Sequence, residues 1–168
     1  MKTRHRLLPL LLLSALAVTA HAAKPEIDRP VGTPQGDGVM HTVRAIPEAC
    51  AWLQGRFTGQ RAQPYAFAAV RSSASCQPRA RLVDPAKAKP SEASGWKLND
   101  VVRVPSKDCA GLQAVVEVWR KPIASAPPKL DAQGRARLYL QDAKESAGKS
   151  AAVTQYAAKV GTEGTPCG

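Results

Sequence analysis

The tetrapeptide Arg-Ala-Arg-Leu occurs twice, beginning at Arg79 and again at Arg135. Two arginines separated by one residue on an extended chain project from the same face. A guanidinium binds carboxylate, sulfate or phosphate through paired hydrogen bonds. If both copies lie in one sheet, Arg79, Arg81, Arg135 and Arg137 converge into an anion-binding face, to which Arg56, Arg61 and Arg103 can add. Ala80 and Leu82, and likewise Ala136 and Leu138, take the opposite, core-facing side. Set against this is a plainer reading, in which solvent-facing strand positions simply carry Arg and so guard sheet edges against pairing. The similarity between the copies stops within six residues at an offset of 56, which is not the recurring unit of a repeat architecture.

Cysteine supplies the second chemistry. Cys50, Cys76, Cys109 and Cys167 are separated by 26, 33 and 58 residues, without the close pairs of a zinc site. An even count in an exported chain reads as two disulfides. Four cysteines allow three pairings, and the preferred one joins Cys50 to Cys76 across a hairpin and Cys109 to Cys167 at the C-terminal tail. No metal and no cofactor is expected.

Catalytic groups are sparse. The chain holds no G-x-S-x-G, H-E-x-x-H, P-loop or G-x-G-x-x-G motif. Behind the N-terminal segment described next, His41 is the one remaining histidine, at the border of a Pro- and Gly-rich stretch. Asp100, Asp108 and Asp131 stand at expected turns, and Asp84 precedes a proline, so their expected role is turn chemistry rather than a glycosidase pair. The chain therefore reads as a non-enzyme, with a hydrolase the weaker alternative.

These side chains need an address and a scaffold. Residues 1–22 combine a basic start, the apolar run Leu-Leu-Pro-Leu-Leu-Leu-Leu-Ser-Ala-Leu-Ala-Val and small residues at Ala20 and Ala22. That pattern reads as a secretory signal peptide, too short for a membrane span. The expected product is periplasmic or secreted, with no transmembrane segment. Its loss takes Lys2, Arg4 and Arg6 and leaves 21 basic against 13 acidic residues, a net charge of +8. Residues 23–40 read as a flexible or extended leader. Residues 41–168 read as one domain, within the size range of a single core.

From His41 onward the chain breaks into short runs punctuated by turn residues. Residues 49–59 and 65–71 flank a hairpin-length connection, and residues 96–105 and 111–120 form the clearest pair. In the latter, Leu112, Ala114, Val116 and Val118 share one parity while Gln113 and Glu117 take the other, the period-2 signature of a strand. Trp119 shares the Glu117 parity and is expected to be partly exposed. Residues 150–161 read as a short C-terminal helix, with Ser150 as N-cap, Val153, Tyr156, Ala157 and Val160 at helical spacing and Gly161 at the stop. The expected fold is mainly β: an antiparallel sandwich or open barrel with that helix and two disulfides.

The function expected from these features is binding through a basic, Arg-rich face. The anions that suit an exported protein are anionic lipid, acidic polysaccharide and acidic protein surfaces. Nucleic acid is disfavoured, because no strand interleaves aromatic and basic residues. The alternative is a small inhibitor or adaptor acting by protein–protein contact, for which Arg and Trp are natural anchors.

Overall fold

The computed structural model describes residues 23–123, 132–133 and 153–167. Arg135, Arg137 and Asp131 lie outside these residues. Among the described residues the strands are β1 (His41–Ile46), β2 (Ala51–Phe57), β3 (Tyr65–Arg71), β4 (Ala80–Leu82), β5 (Lys97–Pro105), β6 (Gln113–Lys121) and β7 (Thr154–Glu163). One helical turn, α1 (Pro85–Ala88), is capped by Asp84, whose carboxylate accepts the Ala86 N–H at 3.0 Å. The protein is mainly β, as its patterning predicts.

The strands form two sheets, a three-stranded one in the order β1-β2-β3 and a four-stranded one in the order β4-β7-β6-β5. Neighbours pair antiparallel except β4 and β7, whose parallel contact makes the second sheet mixed. Alternation places the core. In β2, Ala51, Leu53, Gly55 and Phe57 are buried while Trp52 and Arg56 are exposed. Ile46, Leu53 and Phe57 from the small sheet meet Val102, Val104, Val116, Val118 and Tyr156 from the large one.

A second, smaller cluster sits on the far side of the four-stranded sheet. It packs Trp96, Leu98, Trp119 and Ala157 beneath Val83 and Ala88, at the end of β4 and on α1. Trp119 is consequently buried, at 7% exposure, and not the exposed residue its parity suggests. Trp52, at 43%, is the exposed one.

The C-terminal helix expected at residues 150–161 is not what the described part of that stretch forms. From Thr154 the chain is β7, and it pairs with β6 from Gln113↔Glu163 to Lys121↔Gln155. The alanines that imitate a helix are small because both faces are covered: Ala157 faces the Trp119 cluster and Ala158 the main core. Burial against two layers overrides the helix propensity of Ala.

The disulfides are Cys50–Cys76 and Cys109–Cys167. The first joins the start of β2 to the segment after β3, and the second fastens the C-terminus beside β6. The Pro- and Gly-rich stretch before β1 lies along β5. Glu26, Ile27, Gly32 and Gln35 donate backbone N–H groups to Leu98, Asn99, Arg103 and Pro105, and Gly38 donates to Phe57 at the end of β2. Gly32 suits this strap because a Cβ there would stand 3.1 Å from the Arg103 carbonyl. Among the described residues no helix is long and apolar enough to cross a membrane.

Candidate binding surface

Arg79 and Arg81 are exposed on either side of buried Ala80, and Leu82 packs partly into the core. β4 is anchored at its start by the Arg79 N–H, which donates to the Glu48 carbonyl at 2.7 Å. Arg81 lies opposite Gln155 of β7, and Gln155 lies opposite Lys121 of β6. Arg81, Gln155 and Lys121 thus form one row across three strands, on the far side of the sheet from the main core. Two strand spacings put the Arg81 and Lys121 backbones about 10 Å apart. Behind this row, Lys121 Nζ stands 6.0 Å from the Trp96 ring centroid and Lys159 Nζ 5.2 Å from that of Trp119. Lys159 also donates to the Pro90 carbonyl at 3.0 Å, which fixes its direction.

Lys121 and Lys159 escape a reading from sequence. They join the β4 arginines only through β7, which is more than thirty residues from β6 and seventy from β4 in the chain. Arg56 does not join them. It projects from the outer face of the other sheet, in register with Ala66. Arg103 pairs with Val115 three rows from Arg81 and lies 3.9 Å from Glu163.

The acidic residues sort differently from expectation. Asp108 does serve a turn, accepting the Asp37 N–H at 2.7 Å. Asp100 does not: it lies inside β5, fully buried. Arg29 Nε donates to both of its carboxylate oxygens, at 2.9 and 2.7 Å, and Arg44 Nε lies 2.8 Å from Oδ2. The register between β5 and β6 slips between Leu98 and Asp100, and that bulge turns Asp100 to the core side. Near it, Arg120 and Glu26 form a second pair at 2.6 Å. The hydrogen bond from Arg120 holds the Glu26 carboxyl below its ordinary range, against the opposing effect of burial.

His41 is bound into the small sheet. Its Nδ1 stands 3.1 Å from the Val39 carbonyl, a contact only a protonated nitrogen can make as a hydrogen bond. The neutral ring therefore accepts the Tyr65 hydroxyl at Nε2, at 2.8 Å. Gly55, which pairs with Phe67 one step along β3 on the same face as Tyr65, admits that hydroxyl: a Cβ there would overlap it. Burial raises the Tyr65 phenol well above its ordinary pKa. His41 is thereby engaged at both nitrogens, and its ring packs against Tyr65 at a centroid distance of 5.8 Å. Among the described residues no group of three or more His, Cys, Asp or Glu is placed to hold a metal ion.

The remaining exposed feature is apolar. The outer face of the three-stranded sheet carries Ala45, Trp52 and Val70 in one row, with Ala66 and Ala68 beyond. The fold is that of a disulfide-stapled, mainly β protein of two sheets. Compared with known protein families, curated proteins and solved structures, the chain matches none.

Proposed function

We propose that this is an exported, non-enzymatic binding protein that presents a basic face to an anionic envelope component or an acidic partner. The observation that carries the reading is the row in which Arg81 and Lys121 stand exposed on strands joined through β7, with exposed Arg79 just before β4. Cations held by a rigid sheet keep less conformational freedom to lose on binding than the same residues on a loop. Export is supported by the basic-then-apolar segment at residues 1–22 and by two disulfides, which persist in oxidising compartments. The net charge of +8 without that segment steers anionic partners toward the surface.

Binding of the oxidised protein to anionic vesicles, lipopolysaccharide, an acidic polysaccharide and DNA, across a salt series, tests this reading. Selective binding to one of the first three should weaken as salt rises and fall at least tenfold in an Arg79→Ala, Arg81→Ala, Lys121→Ala variant. Equal weak binding to all four, untouched by the variant, overturns it. Exposure of Trp52 favours the second reading, an inhibitor or adaptor, since Trp is a frequent anchor at protein interfaces.

A further inference from the structure

Sheet edges invite pairing with other chains, and this molecule guards them unequally. The strap covers the edge of β5. β1 is interrupted by a bulge at Val43, and β4 is three residues long. Beyond β4, the edge of β7 carries Lys159, Gly161 and Glu163. β3 has none of these devices. Its seven pairs with β2 run without a bulge, and residues 66–70 read Ala-Phe-Ala-Ala-Val, with no charge and no proline. Among the described residues no strand pairs with its other edge.

The ladder shows which backbone groups that edge presents. At its two ends Ser72 donates to the Cys50 carbonyl and Thr58 to the Pro64 carbonyl. Bonded pairs in an antiparallel ladder recur every second residue. Ala66, Ala68 and Val70 therefore bond to β2, while Phe67 and Ala69 turn their N–H and C=O groups outward. Their side chains line an apolar groove of about 250 Å³ with Leu82, Val83 and Ala158. The groove continues past Ala69 and Leu82 to Arg71. Arg71 is held at that end by hydrogen bonds to the Ser73 and Cys76 carbonyls. Asp84 lies at the other end, so the groove has a direction.

We infer that the β3 edge is a docking site for an extended, acidic segment of a partner protein, which adds as a strand beside Phe67 and Ala69 with its acidic end toward Arg71. Strand addition takes affinity from the main chain and specificity from alternate side chains. Here one parity of the incoming strand enters the groove and the other lies beside Val70 and Trp52, so small apolar residues suit both. The charge argues for the occupant: an excess of 11 cations in the chain, or 8 without residues 1–22, opposes a second copy and favours an acidic segment. This inference rests on the reading of the protein as a binder of acidic partners, and adds to the Arg81–Lys121 row a separate site at the edge of the other sheet.

The test uses the full chain with both disulfides formed and fluorescent nine-residue peptides of alternating valine and threonine, bearing two glutamates at one end or the other. Comparison peptides carry lysine for glutamate, or backbone N-methylation at alternate residues. The expected result is binding of one glutamate peptide, at least tenfold weaker after lysine replacement, after N-methylation, or in the Ala69→Pro variant. Proline at position 69 removes an outward N–H and no β2 bond, and circular dichroism checks that the variant folds; the N-methylated peptide needs no variant at all. Glutamate peptides that bind equally well when N-methylated, or none that bind while vesicles or polysaccharide do, overturn the edge site and leave the basic face standing. No binding to any anion overturns both. A concentration-dependent dimer abolished by Ala69→Pro makes a second copy the occupant and overturns the acidic segment.

Discussion

Arg44 Nε lies 2.8 Å from Asp100 Oδ2, and each residue reaches the other through a bulge in its own strand. In β1 the register slips at Val43, so Arg44 pairs with Leu53 on the core side instead of facing out. In β5 it slips at Asn99, so Asp100 takes the core side while Leu98 faces the opposite, outer cluster. Each bulge re-aims one charged side chain, and together they join the two sheets. Arg29 brings the strap to the same carboxylate. The Arg44 contact is Coulombic rather than directional, because its buried Nε–H is not aimed at an acceptor. A hydrogen bond from Arg44 Nη1 to the Ala45 carbonyl at 2.7 Å orients the group.

Asp100→Ala should therefore cost about 3–5 kcal/mol, the range for breaking a buried pair, because it strands Arg44 against the core. Arg29→Ala removes a side chain that is 38% exposed, and its cost should stay near 1 kcal/mol. Replacing Asp100 by Leu and Arg44 by Met together should recover most of the Asp100→Ala loss, since apolar residues of similar volume often equal a buried ion pair. Urea unfolding midpoints of the four proteins check the order. Equal losses for Asp100→Ala and Arg29→Ala would show that the carboxylate does not hold the sheets together.

What the sequence made legible follows from local rules. The alternation of Leu112, Ala114, Val116 and Val118 announced β6, the hairpin of β2 and β3 followed from its connection, and the two cysteine pairs bracketed elements already in view. What escaped depends on residues far apart. A bulge is invisible in a period-2 count, so Asp100 read as a turn residue. The parallel contact of β4 with β7 brings Lys121 to Arg81 across strands that no local pattern connects. Trp119 read as exposed because α1, a single turn, is too short to forecast as a roof. Of the four arginines singled out, Arg79 and Arg81 stand exposed together.

The two disulfides should contribute unequally. The Cys50–Cys76 bond closes a separation of 26 residues and Cys109–Cys167 one of 58. Loop-closure entropy assigns them about 3.5 and about 4 kcal/mol respectively. Paired alanine replacements, compared by thermal unfolding, should show the Cys109/Cys167 variant as the less stable by several tenths of a kcal/mol. The reverse order would place the main stabilisation in native contacts around Cys50, which is 3% exposed at the start of β2.

Fluorescence can separate the tryptophans. Trp52 is 43% exposed, while Trp96 and Trp119 are 4% and 7%. Iodide should quench one component strongly, and Trp52→Phe should remove it while leaving the unfolding midpoint within about 0.5 kcal/mol, the usual range for surface changes. A quenchable component that survives Trp52→Phe would mean that α1 opens over Trp119.

Alkaline pH should act through two buried phenols. Burial raises the pKa of Tyr65, and burial followed by the Glu48 carboxylate raises that of Tyr156. A phenol whose folded pKa exceeds its unfolded value stabilises the fold fully below the unfolded value, and loses that contribution as pH rises from there through the folded one. Stability should thus hold up to about pH 10, the ordinary tyrosine value, and decline above it. In ultraviolet titration near pH 11, native protein should show fewer ionised phenols than protein in urea, and Tyr65→Phe should narrow the difference. That variant also removes the hydroxyl that His41 accepts at 2.8 Å, so its midpoint should drop at neutral pH by about 1 kcal/mol. Identical titration curves in native and urea-unfolded protein would mean that Tyr65 is open to solvent, and with it the face of β2 around Gly55.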